Sequence, residues 1–350
     1  MKNLKFPHAL FHTLIVLSAF AIPASAAVGY PTSPGPPPVT FVSASGTDTG
    51  SCWQTQPCAT FQYAASQTLS GGEVDALTPG DFAGATGLTI GQSVTIDGKG
   101  MATMNAPAVQ AITVNSTYYS TVVLRGLSIN GTGMSALSPS GVDGIHFSSP
   151  GATTLVVENC TIVGFTNGIN NVSGAGSTLY VKNTTIVGAN VGVHVNQNGG
   201  HTILERVAIS GAGAQGVEVV STPGALTMND SSISGGTYGV YVDSSAASTS
   251  SYPLVQLERT TITAATTAGI YTAAGIVNVD SSSIFNNALA MQASGGSLRI
   301  SNNNIYDNTN GIVCNNPNSF IQSAGDNRHS SNVGITASGG CQAKGTISYW

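Results

Sequence analysis

A repeat of about 24 residues is the feature that most limits how this chain can fold. Residues 154–217 contain three copies, each with an alternating apolar segment, a polar pair, an isoleucine anchor, and a Gly followed by Ile or Val. The anchors Ile162, Ile186 and Ile209 lie 24 and 23 residues apart. A fixed period of this size predicts a solenoid, in which each repeat packs only against its neighbours.

The repeat continues in both directions from these three copies. The spacings between successive anchors are 33, 24, 23, 24, 29, 22 and 21 residues, and the two longest contain insertions at residues 131–143 and 244–252. Eight copies are clear, and the segments SVTIDGKG and QAITVNS form a degenerate ninth. The other anchors are Ile129, Ile233, Ile262, Ile284 and Ile305.

Apolar residues alternate with polar ones inside each repeat, as at Leu155 and Val157. Alternation broken by Gly and Asn-Gly is typical of short strands joined by turns. Leucine-rich repeats need a Leu-rich consensus, left-handed β-helices use six-residue units, and propeller blades span roughly 40–45 residues. The sequence therefore predicts an all-β, single-stranded right-handed parallel β-helix of about eight to nine coils. The Gly before each Ile or Val is expected at a corner where a Cβ atom would not fit.

The termini differ in composition from the repeats. Lys2 and Lys5, an apolar stretch and the sequence Ala24-Ser25-Ala26 predict a secretory signal peptide, so the chain is expected outside the cell, in the periplasm or on the cell surface. No later stretch approaches the ~20 apolar residues that cross a bilayer. A monomer is expected. The predicted segments are 1–26, signal peptide; 27–39, Pro-rich linker; 40–92, N-terminal cap with a helix at 60–68; 93–317, coils; and 318–350, C-terminal cap.

Charged residues make up only 7% of the chain, and Asp and Glu outnumber Lys and Arg by 15 to 10. A protein that neutralises nucleic-acid phosphates needs clustered basic residues, and this sequence has no such cluster. Nucleic acid is therefore excluded as a partner. Because the spacing of His, Cys and acidic residues does not match a metal site, no metal and no cofactor are predicted.

Five cysteines in an exported chain suggest disulfide pairing. Cys52 and Cys58 flank a short loop before the first coils, and Cys314 and Cys341 bracket the C-terminal segment. Both pairs are candidate disulfides. Cys160 occupies a polar position in the middle of the repeats and is expected to be a lone thiol.

Charged residues recur four positions before the anchors, with alternating sign in Arg125, Glu158, Lys182 and Glu205. In a β-helix these residues would be neighbours on successive coils, where opposite charges contribute some ~0.2–1 kcal/mol per pair. We interpret this ladder as structural. Asn229 and Glu258 continue it, and Arg206, Asp230 and Arg259 repeat the pattern one position later.

The N-terminal region resembles a known group of proteins. Its pattern is Phe-Val-Ser-x-x-Gly-x-Asp from Phe41, then Pro-Cys-x-Thr-Phe, Gly-Gly-Glu-Val and Ser-Val-Thr-Ile-Asp-Gly. This pattern is similar to the start of secreted bacterial β-helix proteins of the pectin-lyase-like superfamily, and residues 93–317 match the repeat of that group. The resemblance implies the right-handed β-helix fold, but the superfamily includes lyases, glycosidases, esterases, adhesins and proteins without known activity.

Potential functional residues concentrate at two positions of the repeat. One is the outward position after each Gly-Ile or Gly-Val, and the other is the position before the Gly. Superfamily lyases use clustered acidic Ca²⁺ ligands with a basic residue, and its hydrolases use several aspartates; neither set is found here. The remaining catalytic candidates are His194 with Glu218, and Asp143 with His146, since a Glu-oriented histidine can act as a general base. The candidate substrate-binding residues are Asn170, Gln215, Tyr238, Tyr241, Asp243 and Tyr271.

Three functions remain compatible with the sequence. The first is a non-catalytic surface module that contacts a polysaccharide or a cell-surface glycan, with tyrosine faces stacking on sugar rings. The second is a polysaccharide lyase or glycoside hydrolase that acts on an acidic polysaccharide along the same stripe. The third is a purely structural spacer. The short catalytic inventory favours the first.

Overall fold

The computed structural model describes residues 35–106, 110–117, 119–131, 142–220, 224–243 and 252–332, with the backbone of 336–337 and 342–345. The predicted signal peptide and both long insertions lie largely or wholly outside these residues. Each complete coil contributes three short strands, and every strand pairs in parallel with the equivalent strand of the next coil. This confirms the predicted parallel β-helix. Within the described residues, no helix is long and apolar enough to cross a membrane.

The strands form three columns, called sheet 1, sheet 2 and sheet 3 in the order in which a coil passes through them. Two long strands, Val94–Asn105 and Thr121–Asn130, run through both sheet 1 and sheet 2. The other strands of sheet 1 are Val39–Val42, Gly72–Ala76, Thr154–Glu158, Thr178–Lys182, His201–Glu205, Ala225–Asn229, Leu254–Glu258, Ile276–Asp280, Ser297–Ser301, Phe320–Ser323 and Gln342–Gly345.

Sheets 2 and 3 complete each coil. The other strands of sheet 2 are Gly80–Asp81, Thr161–Val163, Thr185–Val187, Ala208–Ala212, Ser232–Gly235, Thr261–Thr263, Ser283–Phe285, Asn304–Tyr306 and Arg328–Ser330. The strands of sheet 3 are Leu88–Ile90, Ile112–Val114, Asp143–Phe147, Asn167–Asn171, Val191–Val195, Gln215–Val219, Tyr238–Val242, Ala268–Thr272, Leu289–Ala293, Asn310–Cys314 and Thr336–Ala337.

The solenoid has about ten turns, slightly more than the eight or nine expected. The additional length comes from both predicted caps. Gly72–Ala76 pairs in register with Val94–Asn105, and Phe320–Ser323 pairs with Ser297–Ser301. The coils that contain these strands lack the isoleucine anchor by which the repeat was counted, since His329 is the register partner of Ile305 in the last coil, so the sequence pattern underestimated the number of turns.

The core is a stack of inward side chains along the axis of the solenoid. The anchors Ile162, Ile186 and Ile209 are direct partners in sheet 2 and at most 2% exposed. Burying one such side chain stabilises the fold by roughly 1.5–3 kcal/mol, and no single coil could bury its own. Stacking therefore explains why the repeat must recur.

Close backbone packing accounts for the Gly that recurs near the start of most sheet 3 strands; Leu289–Ala293 has Ala290 at this position. A Cβ atom on Gly192 would lie 2.4 Å from the carbonyl oxygen of Gly216 and 2.6 Å from Cγ2 of Ile209. The glycines of neighbouring coils meet the same obstruction. The corner from sheet 1 to sheet 2 instead uses one residue in the left-handed region, often Asn or Asp, which tolerate it. Examples are Asn159, Asn183 and Asp230, with φ between 47° and 55°.

The short helix at the N-terminal end runs from Phe61 to Gln67, which confirms the prediction for residues 60–68. The side-chain oxygen of Thr60 accepts a hydrogen bond from the backbone N–H of Tyr63, 3.1 Å away, and caps the helix. Phe61 packs edge-on against Phe82, with ring centroids 5.2 Å apart. The helix thereby covers the apolar end of the first coils.

Two cysteines near this helix are joined. Cys52 and Cys58 form a disulfide with their Cα atoms 5.0 Å apart. Cys314 is also disulfide-bonded, and Cys341, its predicted partner, lies outside the described residues. Cys160 is a free, buried thiol, as predicted, and burial raises its pKa to about 12. This thiol therefore stays protonated and unreactive near neutral pH.

The charged ladder lies along the outer edge of sheet 1. Arg125, Glu158, Lys182 and Glu205 are consecutive partners in register, and Nε of Arg125 lies 2.6 Å from Oε1 of Glu158. The ladder extends further than the sequence suggested: Asp97 and Asp75 precede Arg125. Glu205 bonds Tyr180 and Arg206 instead of Lys182.

Candidate functional site

One residue per coil on sheet 3 points away from the core, and these residues form a continuous row. In the strand Val191–Val195, only the fourth residue, His194, is partly exposed. Parallel pairing places the fourth residues of successive strands directly beside one another, about 4.8 Å apart. This set, called the sheet 3 row, consists of His146, Asn170, His194, Glu218, Tyr241, Tyr271 and Gln292.

Asp143 begins the neighbouring column, at the first position of its strand, but it is not the outward group that the sequence suggested. It is 2% exposed, and its carboxylate accepts hydrogen bonds from Nδ2 of Asn167 at 2.7 Å and Nδ2 of Asn170 at 2.8 Å. Nδ1 of His146 lies 2.7 Å from the same carboxylate. Asp143 therefore orients three neighbouring side chains instead of facing a ligand itself.

His194 and Glu218 form a second pair, on adjacent coils. Nδ1 of His194 lies 2.6 Å from Oε2 of Glu218, and both side chains are about one-fifth exposed. When Nδ1 donates its proton to the carboxylate, Nε2 becomes the basic nitrogen of the ring. Within the described residues no protein group bonds Nε2, so this nitrogen is available to accept a proton or a hydrogen bond from a ligand.

Asn170 lies between the two histidines in the sheet 3 row. Its amide nitrogen is bonded to Asp143, but its Oδ1 is buried and has no hydrogen-bond partner among the described residues. A buried acceptor without a partner costs ~1–3 kcal/mol. Because solvent does not reach this atom, it is not available to a ligand in this side-chain conformation.

Three tyrosines occupy the middle of the sheet 3 face. The rings of Tyr241 and Tyr271 are parallel, with centroids 5.2 Å apart, and Tyr238 is tilted against both at 5.1–5.2 Å. Because Tyr241 and Tyr271 cover each other's faces, their edges and hydroxyl groups are more accessible than the free faces expected from the sequence. The tyrosine cluster is therefore better suited to hydrogen bonding than to stacking on several sugars.

The hydroxyl group of Tyr241 donates a hydrogen bond to Oδ2 of Asp243, 3.2 Å away. Burial, followed by the negative charge of Asp243, raises the pKa of Tyr241 to about 12. The phenol is therefore a neutral donor throughout the physiological range. Gln215 lies directly beside Tyr238 in the neighbouring column, so all the predicted binding residues belong to one face.

The four catalytic candidates separate into two pairs. His146 and His194 lie two coils apart, or roughly 9–10 Å, and Asp143 and Glu218 lie three coils apart, or roughly 14 Å. Glycosidases that use two carboxyl groups hold them roughly 5–9.5 Å apart. Asp143 and Glu218 are therefore too distant to form such a pair, whereas each histidine retains its own carboxylate.

A cluster that the sequence interpretation missed lies on sheet 1. Glu73, Asp75 and Asp97 hold carboxylate oxygens within 4.8 Å of one another. Nζ of Lys99 lies 3.4, 2.9 and 2.8 Å from the three carboxylates, so its ammonium group occupies the position that a metal cation would take. Extending the ladder upstream from Arg125 would have revealed Asp97 and Asp75, but the left-handed corner at Lys99 was not recognisable.

Comparison with solved structures supports the fold. The chain is similar to the pectate lyase Pel9A, with a TM-score of 0.53 and 13% identity over 87% of this chain and 78% of that chain. It is also similar to the A-module of the Azotobacter vinelandii mannuronan C-5 epimerase AlgE4, with a TM-score of 0.52 and 16% identity over 82% of this chain and 92% of that chain. No protein-family model and no curated protein matches the sequence. The chain thus has the pectin-lyase-like fold.

Proposed function

We propose that this protein binds a polysaccharide along the sheet 3 row. The observation that carries the proposal is the continuity of the row, which keeps seven polar or aromatic side chains in register from His146 to Gln292. Its six steps extend over roughly 29 Å, a length that suits an extended polymer better than a single sugar. The signal peptide predicted from the sequence is consistent with a glycan outside the cytoplasm.

The groups in the row support binding through hydroxyl groups. Nε2 of His194 is a free acceptor within the described residues, and the phenols of Tyr238 and Tyr271 are donors, whereas Tyr241 already donates its only proton to Asp243. Each hydrogen bond adds only ~0.5–1.5 kcal/mol, so affinity requires several of them along one chain. A regular row provides such repetition.

Paired substitutions on two sheets test this proposal. We expect His194→Ala and Tyr271→Ala each to weaken polysaccharide binding about tenfold, a change equivalent to 1.4 kcal/mol. The matched controls are His201→Ala and Tyr180→Ala on sheet 1, which should leave binding unchanged. Migration of the folded variants in native gels containing a panel of polysaccharides measures the effect. Equal losses for both sets, or no binding to any glycan, would contradict the proposal and favour a structural spacer.

A second candidate function is catalysis on the bound polysaccharide, with His194 as a general base. The contact between Nδ1 of His194 and Glu218 favours it, because a carboxylate that fixes the ring leaves Nε2 ready to accept a proton. The names of the two structural neighbours, a pectate lyase and a mannuronan C-5 epimerase, describe enzymes that act on polysaccharides. Their low identity to this chain leaves the activity itself a proposal.

Product analysis separates catalysis from binding. The panel would be incubated with the protein and examined for new reducing ends, unsaturated products and changed sugar configuration. If His194 is the base, Glu218→Gln should lower the rate roughly 10²–10⁴-fold, while Glu258→Gln on sheet 1 should not. Absence of turnover across a panel that the protein does bind would reject the catalytic candidate and retain the binding function.

A further inference from the structure

Within the described residues, lysine and arginine belong to two of the three sheets of the solenoid or to the corner between those two sheets. Of the ten in the sequence, Lys2 and Lys5 precede the described residues. The remaining eight belong to the strands of sheets 1 and 2 or to the corner between them, and none belongs to sheet 3. They are Lys99, Arg125, Lys182, Arg206, Arg259, Arg299, Arg328 and Lys344.

The two insertions do not change this distribution. Residues 132–141 and 244–251, which precede and follow strands of sheet 3, contain neither Lys nor Arg. Because the sequence itself lacks these residues there, no conformation of the insertions can bring a permanent cation to the sheet 3 row. The asymmetry is therefore a property of the whole chain after residue 26.

Sheet 3 instead carries carboxylates. Glu218 lies in the sheet 3 row, Asp243 accepts a hydrogen bond from Tyr241, and Asp143 contacts His146. Among the residues that the structure describes, the only groups on this face that can become cationic are the two histidines, and each already contacts one of these carboxylates. An anionic polymer lying along the row would meet like charge without a compensating cation, which disfavours association.

A divalent cation could in principle bridge an acidic site and an acidic polymer, but that requires several oxygen ligands converging on one point. Among the described residues, the only group of three acidic or histidine side chains close enough for this is Glu73, Asp75 and Asp97 on sheet 1. On sheet 3 the carboxylates are separated along the row and are occupied by His, Asn or Tyr donors. The row thus has no preformed calcium bridge for uronate groups.

We infer that the ligand of the sheet 3 row is an uncharged polysaccharide and not a uronan, in contrast to the acidic polysaccharide of the lyase or hydrolase alternative. The inference rests on the proposed function, since it names the class of glycan that the same row would bind. Amides, phenols and imidazole nitrogens recognise hydroxyl groups without requiring charge on the ligand. The cations that a polyanion would need are all placed on the other sheets.

Affinity electrophoresis tests the inference directly. Native gels would contain β-glucan, galactomannan or xylan as uncharged polymers, and polygalacturonate or alginate as anionic polymers, with and without added Ca²⁺. We expect retardation by at least one uncharged polymer and none by the uronans. Retardation by a uronan alone would overturn the inference and leave the glycan-binding function intact. Lack of retardation by every polymer would contradict the proposed function itself.

A pair of charge-matched variants shows whether the row is responsible. Glu218→Gln combined with Asp243→Asn removes two negative charges from sheet 3, and Glu258→Gln combined with Asp280→Asn removes two from sheet 1. The sheet 3 variant should gain measurable uronan binding, and the sheet 1 variant should not. An equal gain in both variants, or a gain in neither, would overturn the inference that charge on the row selects the ligand.

Discussion

Sheet 1 and sheet 3 carry polar rows of the same construction, with one side chain per coil in strict register, but the two rows pair their groups differently. On sheet 1, Arg125 bonds Glu158 on the next coil, and Lys99 neutralises three carboxylates. On sheet 3, only Nδ1 of His194 contacts Glu218, and Nε2 of this ring has no partner within the described residues. The same register therefore produces ion pairs on sheet 1 and, within the described residues, an unpaired imidazole nitrogen on sheet 3.

The two sheets also differ in the groups that compensate their carboxylates. All the lysines and arginines within the described residues belong to sheets 1 and 2 or to the corner between them, so the acidic groups of that region are largely compensated close by. Sheet 3 compensates its carboxylates through uncharged donors and imidazoles. Four predictions test this contrast, in order of decreasing effect. They begin with backbone packing between coils and end with a single hydroxyl group.

The largest effect is expected from Gly192→Ala, which disturbs the scaffold beneath both rows. The added Cβ would lie 2.4 Å from a backbone oxygen of the next coil, so the coils must separate locally. We expect unfolding to become easier by about 3 kcal/mol, the upper end for overpacking. The midpoint of urea unfolding measures it. Gly188→Ala, where a Cβ meets open space at a φ of 63°, should cost only ~1–2 kcal/mol.

The next effect concerns the cation of sheet 1. Lys99→Ala leaves Glu73, Asp75 and Asp97 without their ammonium partner, and we expect a loss of about 2 kcal/mol of stability. Added Ca²⁺ should restore part of this loss in the variant but not in the unaltered protein, because the vacated carboxylates can bind it. Lys182→Ala, whose Nζ forms no ion pair within the described residues, is the matched control. Thermal unfolding with and without Ca²⁺ would show no rescue if the cluster is merely repulsive.

A smaller effect is expected at the exposed part of the same ladder. Arg125→Gln removes the 2.6 Å contact with Glu158, but the arginine side chain is 41% exposed. Pairs in such positions contribute ~0.2–1 kcal/mol and weaken as salt screens them. The difference in unfolding midpoint should therefore be small at low salt and vanish at high salt. A large, salt-independent loss would mean that Arg125 contributes through packing.

The smallest effect is spectroscopic and belongs to sheet 3. Tyr241 should ionise near pH 12, above the ordinary value of 10.0, because burial and Asp243 favour the neutral phenol. Since the unfolded chain releases this proton more readily, the contribution to stability is present below pH 10 and is lost as the pH rises towards 12. Phenolate absorbance in the unaltered protein and in Tyr241→Phe identifies the group. Asp243→Asn should lower its pKa, and an unchanged titration would contradict the contact.

Most of the architecture follows from the repeat, because the core requires Ile or Val at fixed positions and the corners require Gly or Asn. The ends were harder to predict. The strand Gly72–Ala76 belongs to sheet 1 through its backbone pairing with Val94–Asn105, although its coil has no isoleucine anchor in sheet 2. Pairing of the main chain is not visible in a pattern of side chains.

The residues that form the sheet 3 face were also predictable, since the same outward position recurs in every coil. Their burial and their contacts with one another were not predictable. Asp143 is buried because the amides of Asn167 and Asn170, from the next coil, bond its carboxylate. Tyr241 and Tyr271 face each other because their strands are direct partners. Such contacts depend on rotamers, which single-sequence patterns do not specify.

The register of sheet 2 also makes the length of this protein adjustable in whole units. Val163 and Val187 occupy equivalent places on successive coils, so joining Ile162 directly to Val187 would excise one coil and preserve the backbone register, although Glu158 and Glu205 would then be neighbours. The shortened chain would lose Asn170 and bring His146 beside His194, and its row would be shorter by about 4.8 Å. Gain or loss of single coils would therefore alter the reach of the row, and the order of its side chains, without requiring a new fold.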